Sequence, residues 1–260
     1  METMGIITEQ DDGVLTIKLD RPKVNAFDLP MVEKLLAELT AAEGEDSIRC
    51  IVLTGSRGFF SAGQDIRDIQ EAGEDIPYRE HLERTYNQVV RVLRAIEKPI
   101  IGAINGPAAG AGLGIALATD IRWAAECASF SFGFTRIGLA ADSGTSVFLP
   151  LLLGLSKASE FAFDGRIITS EQALRQGIVS RVFPDSELYQ EVHEYAAKLA
   201  AGPTRAIGLT KRAFNRTVLK SLDEALTYEA ILQEIAGRTV DHKEGVAAFL
   251  EKRPPIFRGA

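Results

Sequence analysis

Thiols are scarce in this 260-residue chain: Cys50 and Cys127 are its only cysteines, each alone in an apolar stretch without CxxC spacing. That pattern fits reduced core residues and speaks against a disulfide, a thiolate metal site or a cysteine nucleophile. Histidine is equally sparse. His81, His193 and His242 sit in polar helical contexts with no ligand spacing and no partnered nucleophile, so they read as solvated surface residues, and neither a metal site nor a catalytic triad is expected. Positive charge is in deficit, with 29 Lys and Arg against 36 Asp and Glu and a net charge of -7, which argues against a nucleic-acid partner because neutralising phosphates needs clustered cations. The first residues turn acidic without a basic region followed by an apolar block, so no secretory leader is expected and the cytoplasm is the default location. The most apolar run, Pro99 to Ala118, is long enough for a membrane span. Asn105-Gly106-Pro107 interrupts it, and strand, turn and helix are expected there instead. Fixed-period repeats and low-complexity tracts are also missing; the nearest approach to a linker, Glu71 to Pro77, reads as a surface loop.

What is present is an ordinary globular composition, 46% hydrophobic and 25% charged, enough for a sizeable core. One main domain, residues 1–200, with a helical region over 201–260 is expected. Gly5 to Thr8 and Val14 to Leu19 flank Asp11-Asp12-Gly13 as a hairpin. A helix is expected over Leu29 to Ala42, a strand over Ile48 to Thr54, and a helix over Tyr78 to Ile96 from the spacing of Tyr86, Val89, Val90, Leu93 and Ile96, stopped by Lys98-Pro99. Ile100 to Ile104 reads as strand, Gly110 to Ala118 as helix and Ile121 to Ala124 as strand. This alternation predicts an α/β fold. From Ser143 onward the pattern turns almost wholly helical, with helices expected over Tyr189 to Ala201, Thr204 to Val218, Leu222 to Gly237 and Lys243 to Leu250.

Three segments carry chemical interest. Gly58-Phe59-Phe60-Ser61-Ala62-Gly63-Gln64-Asp65 follows a strand, and its small residues either let a ligand approach the backbone or only serve a turn that needs Gly63. Asn105 to Gly114, with glycines at 106, 110, 112 and 114, links a strand to a helix whose first N–H groups are free for an anionic oxygen; close packing of helix on sheet is the alternative. Its glycine spacing and mid-chain position do not match a dinucleotide fingerprint. The third segment, Phe134 to Thr145, holds Asp142 among residues otherwise poor in charge. Asp142 is either a reactive carboxyl or the N-cap of a helix over Ser143 to Leu153, and the two roles are compatible.

Together these segments resemble the crotonase, or enoyl-CoA hydratase/isomerase, superfamily over essentially the whole chain. Arg21-Pro22-Lys23-Val24-Asn25-Ala26 is similar to its CoA-contacting strand end, Phe59 to Asp65 and Asn105 to Gly112 to its two oxyanion segments, Gly165 to Thr169 and Ala173 to Val182 to the segment after the site, and Phe249 to Arg253 to its C-terminal CoA-contacting motif. The resemblance implies a spiral of ββα units with a C-terminal helical region, assembled as trimers or hexamers. It also implies an acyl-CoA substrate, with coenzyme A part of that substrate and no separate cofactor. The backbone N–H groups of Ala62 and Ala111 are the implied oxyanion donors. Lys23, Val24, Gln64, Asp65 and Ile66 are implied along the CoA channel, with Phe249 and Lys252 toward the nucleotide.

The departures from the family pattern narrow the expected chemistry. Typical hydratases carry two glutamates where this chain has Gly114 and Phe134, so hydratase activity becomes the runner-up. Asp142 coincides with the catalytic aspartate of ring-epoxide isomerases of phenylacetate breakdown, of dienoyl-CoA isomerases and of a chlorobenzoyl-CoA dehalogenase; the dehalogenase has histidine where Asn87 stands here. The ring-epoxide branch is the closest resemblance. It implies an isomerase in which Asp142 shuttles a proton, with Phe130, Phe132 and Phe134 either an apolar wall of the acyl pocket or plain core. A non-catalytic, RNA-binding member is a further alternative, which the acidic charge balance disfavours.

Overall fold

The computed structural model describes residues 5–67 and 77–259. Apart from Pro77, the stretch read as a surface loop lies outside the described residues, as do residues 1–4 of the segment searched for a leader.

A six-stranded sheet in the order β1-β2-β3-β4-β6-β9 forms the centre, built from β1 (Gly5–Asp11), β2 (Val14–Asp20), β3 (Cys50–Gly55), β4 (Ile100–Ile104), β6 (Ile121–Ala125) and β9 (Arg181–Phe183). β1 and β2 pair antiparallel across a two-residue turn, with Asp11 opposite Val14. Asp12 and Gly13 both have positive φ there, the backbone that a tight hairpin demands. All later pairs in this sheet are parallel. A second, three-stranded sheet joins β5 (Ala108–Ala109), β7 (Ser129–Ser131) and β8 (Ile167–Thr169).

β3 and β4 are buried on both faces, which explains their unbroken apolar runs. Alternate residues serve different layers. Cys50 and Val52 pack with Val14, Ile101 and Trp123 against Leu188, Val192 and Ala196 of the Leu188–Ala201 helix. Ile51 and Leu53 face the larger core, which contains Leu35 and Leu39 of the Leu29–Gly44 helix and Val89 and Leu93 of the Tyr86–Ala95 helix. Asp28 starts the Leu29–Gly44 helix by accepting the Met31 N–H on its side chain at 2.9 Å.

Several expectations change. The helix expected over Tyr78 to Ile96 is two, Tyr78–Arg84 and Tyr86–Ala95, broken at Thr85. The Thr85 hydroxyl donates back to the His81 carbonyl at 2.6 Å, a local bond that competes with the helical ladder. β8 and β9, three residues each, interrupt the stretch expected to be almost wholly helical. Cys127 is exposed rather than core, while Cys50 is buried. Among the described residues no helix is long and apolar enough to cross a membrane, and Pro99 to Ala118 divides into β4, β5 and the Ala111–Leu117 helix.

Candidate active site

Two loops at the carboxyl ends of β3 and β4 are laced together by backbone. Ser61 and Ala108 form a parallel bridge, and the Ala109 N–H donates to the Ser61 carbonyl at 2.9 Å. Asn25, buried and left-handed at φ 51, ties the turn after β2 to the first loop through Nδ2 bonds to the carbonyls of Ser56 and Phe59 at 2.9 and 2.8 Å. Gly63 adopts φ 85, and a Cβ there would lie 2.8 Å from the Ala109 carbonyl oxygen and 3.1 Å from the Ala111 nitrogen, so only glycine lets the loops meet. The turn and the ligand approach left open for Gly63 thus coincide: its turn brings the first loop to the Ala111 amide.

This geometry revises one of the two implied oxyanion donors. The Ala62 N–H is spent on the Val24 carbonyl at 3.0 Å. Gln64 bridges Phe27 in parallel, and the bonds of that bridge run from the Phe27 N–H to the Gly63 carbonyl at 2.7 Å and from the Asp65 N–H to the Phe27 carbonyl at 3.0 Å. The Gln64 N–H therefore points the other way, with no acceptor among the described residues. Ala111 opens its helix, where the first N–H groups have no intrahelical acceptor. The pair of free amides at the cavity is Gln64 with Ala111.

These amides border a cavity of about 990 Å³ that also contains Lys23, Val24, Ala62, Asp65, Ile66, Phe134, Asp142, Gln233, Phe249 and Lys252. Of the residues expected at the site, Asn87 alone is not on its wall. It is buried, donating from Nδ2 to the Leu226 carbonyl at 3.0 Å. Its neighbour Tyr86 does reach the cavity and donates, as does the Nε2–H of His81, to the Gln64 side-chain carbonyl. Of the three phenylalanines, Phe134 lines the cavity, while Phe130 and Phe132 are buried core residues, Phe132 edge-on to Phe134.

Asp142 is 5% exposed and its carboxylate caps no helix. Ser143 and Gly144 follow it at φ 55 and 78, turning the chain so that the helix starts only at Thr145. Its oxygens accept from the Ser143 hydroxyl and the Gln233 amide, both at 2.6 Å. The capping expected of Asp142 falls to Glu229 on the Leu222–Gly237 helix, whose carboxylate accepts the N–H groups of Gly144 and Ser146 at 2.9 Å each. Burial raises the Asp142 pKa to about 7, with the two donors pulling it down and the Glu229 charge pushing it up. A carboxyl poised there can both take and return a proton near neutral pH.

Two of the three histidines, His81 and His242, are not simply solvated, while His193 stays half-exposed. His242 is buried, with its Nδ1–H on the Ile137 carbonyl at 2.7 Å and its Nε2 accepting from the Tyr78 hydroxyl at 2.6 Å. His81 lines the cavity, and burial lowers the pKa of both. At the mouth, Arg21 and Arg67 pair with Asp65 at 2.7 and 2.8 Å, which holds its carboxyl well below the usual range. Lys23 and Lys252 have no carboxylate partner among the described residues, so the entrance offers point charges suited to phosphate. No local signal in the sequence distinguishes Gln233 or Glu229 from other polar helix residues; only the return of their helix over Asp142 does.

Two free backbone donors and one buried carboxyl raised toward neutral line the same cavity, an arrangement that can polarise an acyl oxygen and move a proton. The model of the enoyl-CoA hydratase/isomerase family matches residues 9–260. The chain is 39% identical to 1,2-epoxyphenylacetyl-CoA isomerase of Escherichia coli K12 over 98% of both chains, and 40% identical to a probable enoyl-CoA hydratase of Rhodobacter capsulatus over 96% of both. Among solved structures, an enoyl-CoA hydratase from Mycobacterium avium subsp. paratuberculosis superposes with a TM-score of 0.88 at 31% identity, over 98% of both chains. The protein belongs to the enoyl-CoA hydratase/isomerase family and has the crotonase fold; the members of this family process CoA thioesters.

Proposed function

We propose that the protein is an acyl-CoA isomerase that uses Asp142 as its one proton carrier and the N–H groups of Gln64 and Ala111 as its oxyanion hole. The carboxylate of Asp142 takes a proton from the carbon next to the thioester; the electron pair of that C–H bond moves into the thioester, whose oxygen gains negative charge between the two amides. Such donors are typically worth about 3–4 kcal/mol each in the transition state. The same carboxyl then delivers the proton to another carbon, so the product has the composition of the substrate. Ring-epoxide to oxepin conversion in phenylacetyl-CoA breakdown ranks ahead of simple double-bond migration, and the similarity to 1,2-epoxyphenylacetyl-CoA isomerase supports that order. Coenzyme A arrives as part of the substrate, Lys23 and Lys252 meet its phosphates, and the active form is a trimer or a pair of trimers in the cytoplasm.

The observation that carries this reading is that neither hydratase position holds an acid beside Asp142. The family position held by Gly114 is closed to a second acid: a Cβ there would stand 2.4 Å from the Ser143 Cβ and 2.6 Å from its carbonyl oxygen. Phe134 fills the other position with an apolar ring on the cavity wall. Water addition needs two positioned carboxyls, and these two positions supply neither; a proton shuttle needs only one. The test is conversion of a 3-enoyl-CoA to the conjugated 2-enoyl isomer, followed by thioester absorbance. Wild type turns over, and Asp142→Asn loses about 100- to 10,000-fold in kcat. Equal rates in the two proteins, or hydration of crotonyl-CoA outpacing isomerisation, would refute the proposal.

A further inference from the structure

Glu229 and Gln233 stand one turn apart on the Leu222–Gly237 helix and leave its same face. Gln233 Oε1 accepts the Ala140 N–H at 3.1 Å while Nε2 donates to Asp142 Oδ2 at 2.6 Å. The Ala140 contact fixes which end of the carboxamide faces the acid, because an N–H can be accepted only by the carbonyl. Ser143 holds the other oxygen, Oδ1. With both oxygens held by separate donors, the carboxylate cannot rotate freely. The corner itself is an unusual piece of chain, two consecutive left-handed residues of which Ser143 is not glycine, and such backbone persists only when its surroundings impose it. Glu229 imposes it by accepting the N–H groups on either side of Thr145.

We propose that Glu229 and Gln233 are a positioning clamp for Asp142, Gln233 orienting its carboxylate and Glu229 holding the corner that carries it. The inference rests on Asp142 as the proton carrier and adds residues that act through it. Glu229 is the charged neighbour acting on Asp142. The Ala111–Leu117 and Thr145–Leu153 helices packed at the corner have no ionisable side chain, and Arg136, on the turn before it, shares the cavity.

The test follows the Asp142 carboxyl by ¹³C NMR, assigned by its disappearance in Asp142→Asn. In Gln233→Met, which keeps the side-chain length and removes the donor, the carboxyl titrates about one pH unit higher than in wild type. At pH 7 kcat for isomerisation falls about tenfold while KM stays within about twofold. Gln233→Glu keeps an acceptor for the Ala140 N–H and adds an acid, so the two carboxyls titrate in two steps with the upper one above the wild-type midpoint. Should Gln233→Met not fold, Gln233→Glu decides. A folded variant in which the Asp142 midpoint does not move overturns the clamp. The titration needs no turnover, so a wild type inactive on 3-enoyl-CoA would count against the isomerase reading alone.

Discussion

At the scale of single residues, Asp142 sets function against stability. Its pKa is near 7 in the fold against 3.8 as a free side chain, so between those values the folded protein holds a proton that the unfolded chain has lost. Stability therefore falls as pH rises through that window, by on the order of 4 kcal/mol at pH 8. Asp142→Asn does not titrate. Its melting temperature relative to wild type should accordingly climb from pH 4 to pH 8 in paired thermal melts, and a constant difference would mean that the carboxyl is not raised. Gly114 gives a second prediction at this scale. Gly114→Glu, which restores a hydratase-like acid, should yield no hydration of crotonyl-CoA. It should also cost about 1–3 kcal/mol of stability, because the new side chain must displace the Ser143 backbone. Asp142 was legible in the sequence as a lone acid in an uncharged stretch. The free amide of Gln64 was not: which of two nearby N–H groups stays free is decided by pairing with Val24 and Phe27, far away in the chain.

Elements position the site through close approaches that side chains would forbid. The Val240–Glu251 helix meets the turn Phe134–Ile137 glycine against backbone: a Cβ on Gly245 would lie 2.6 Å from the Ile137 Cα, and one on Gly138 2.7 Å from the His242 nitrogen. Phe249 and Lys252, one and two turns further along, are carried to the cavity mouth by this seating. Gly245→Ala should tilt the helix away and raise KM for acyl-CoA several-fold while kcat changes less, since Asp142 is held by a different helix; initial-rate kinetics separate the two. The sequence located most helices here within a few residues because their apolar spacing runs for several turns. It missed the break at Thr85, where one hydroxyl competes with the ladder. It also missed β8 and β9, because three residues are too few for a period of two to register.

For the whole molecule, the Leu222–Gly237 helix has two faces with different partners. Leu226, Glu229, Ala230 and Gln233 are buried against the core and the site, whereas Tyr228, Ile231 and Ile235 line the opposite side, Tyr228 and Ile235 about 60% exposed. Residues spaced by three, four and seven share one helical stripe. An exposed apolar stripe behind the residues that grip Asp142 is what contact between copies of this chain would cover. The assembly proposed above then supports the site mechanically, since a helix pressed from behind holds its clamp with less play. Ile235→Glu should lower the mass in solution, measured by light scattering, from three or six times the 28.2 kDa chain toward a single copy. Isomerase activity should fall with it, although residue 235 is not on the cavity wall. Activity that stays at the wild-type level in a dissociated Ile235→Glu would mean that the clamp is set within one chain, and that the exposed stripe serves assembly alone.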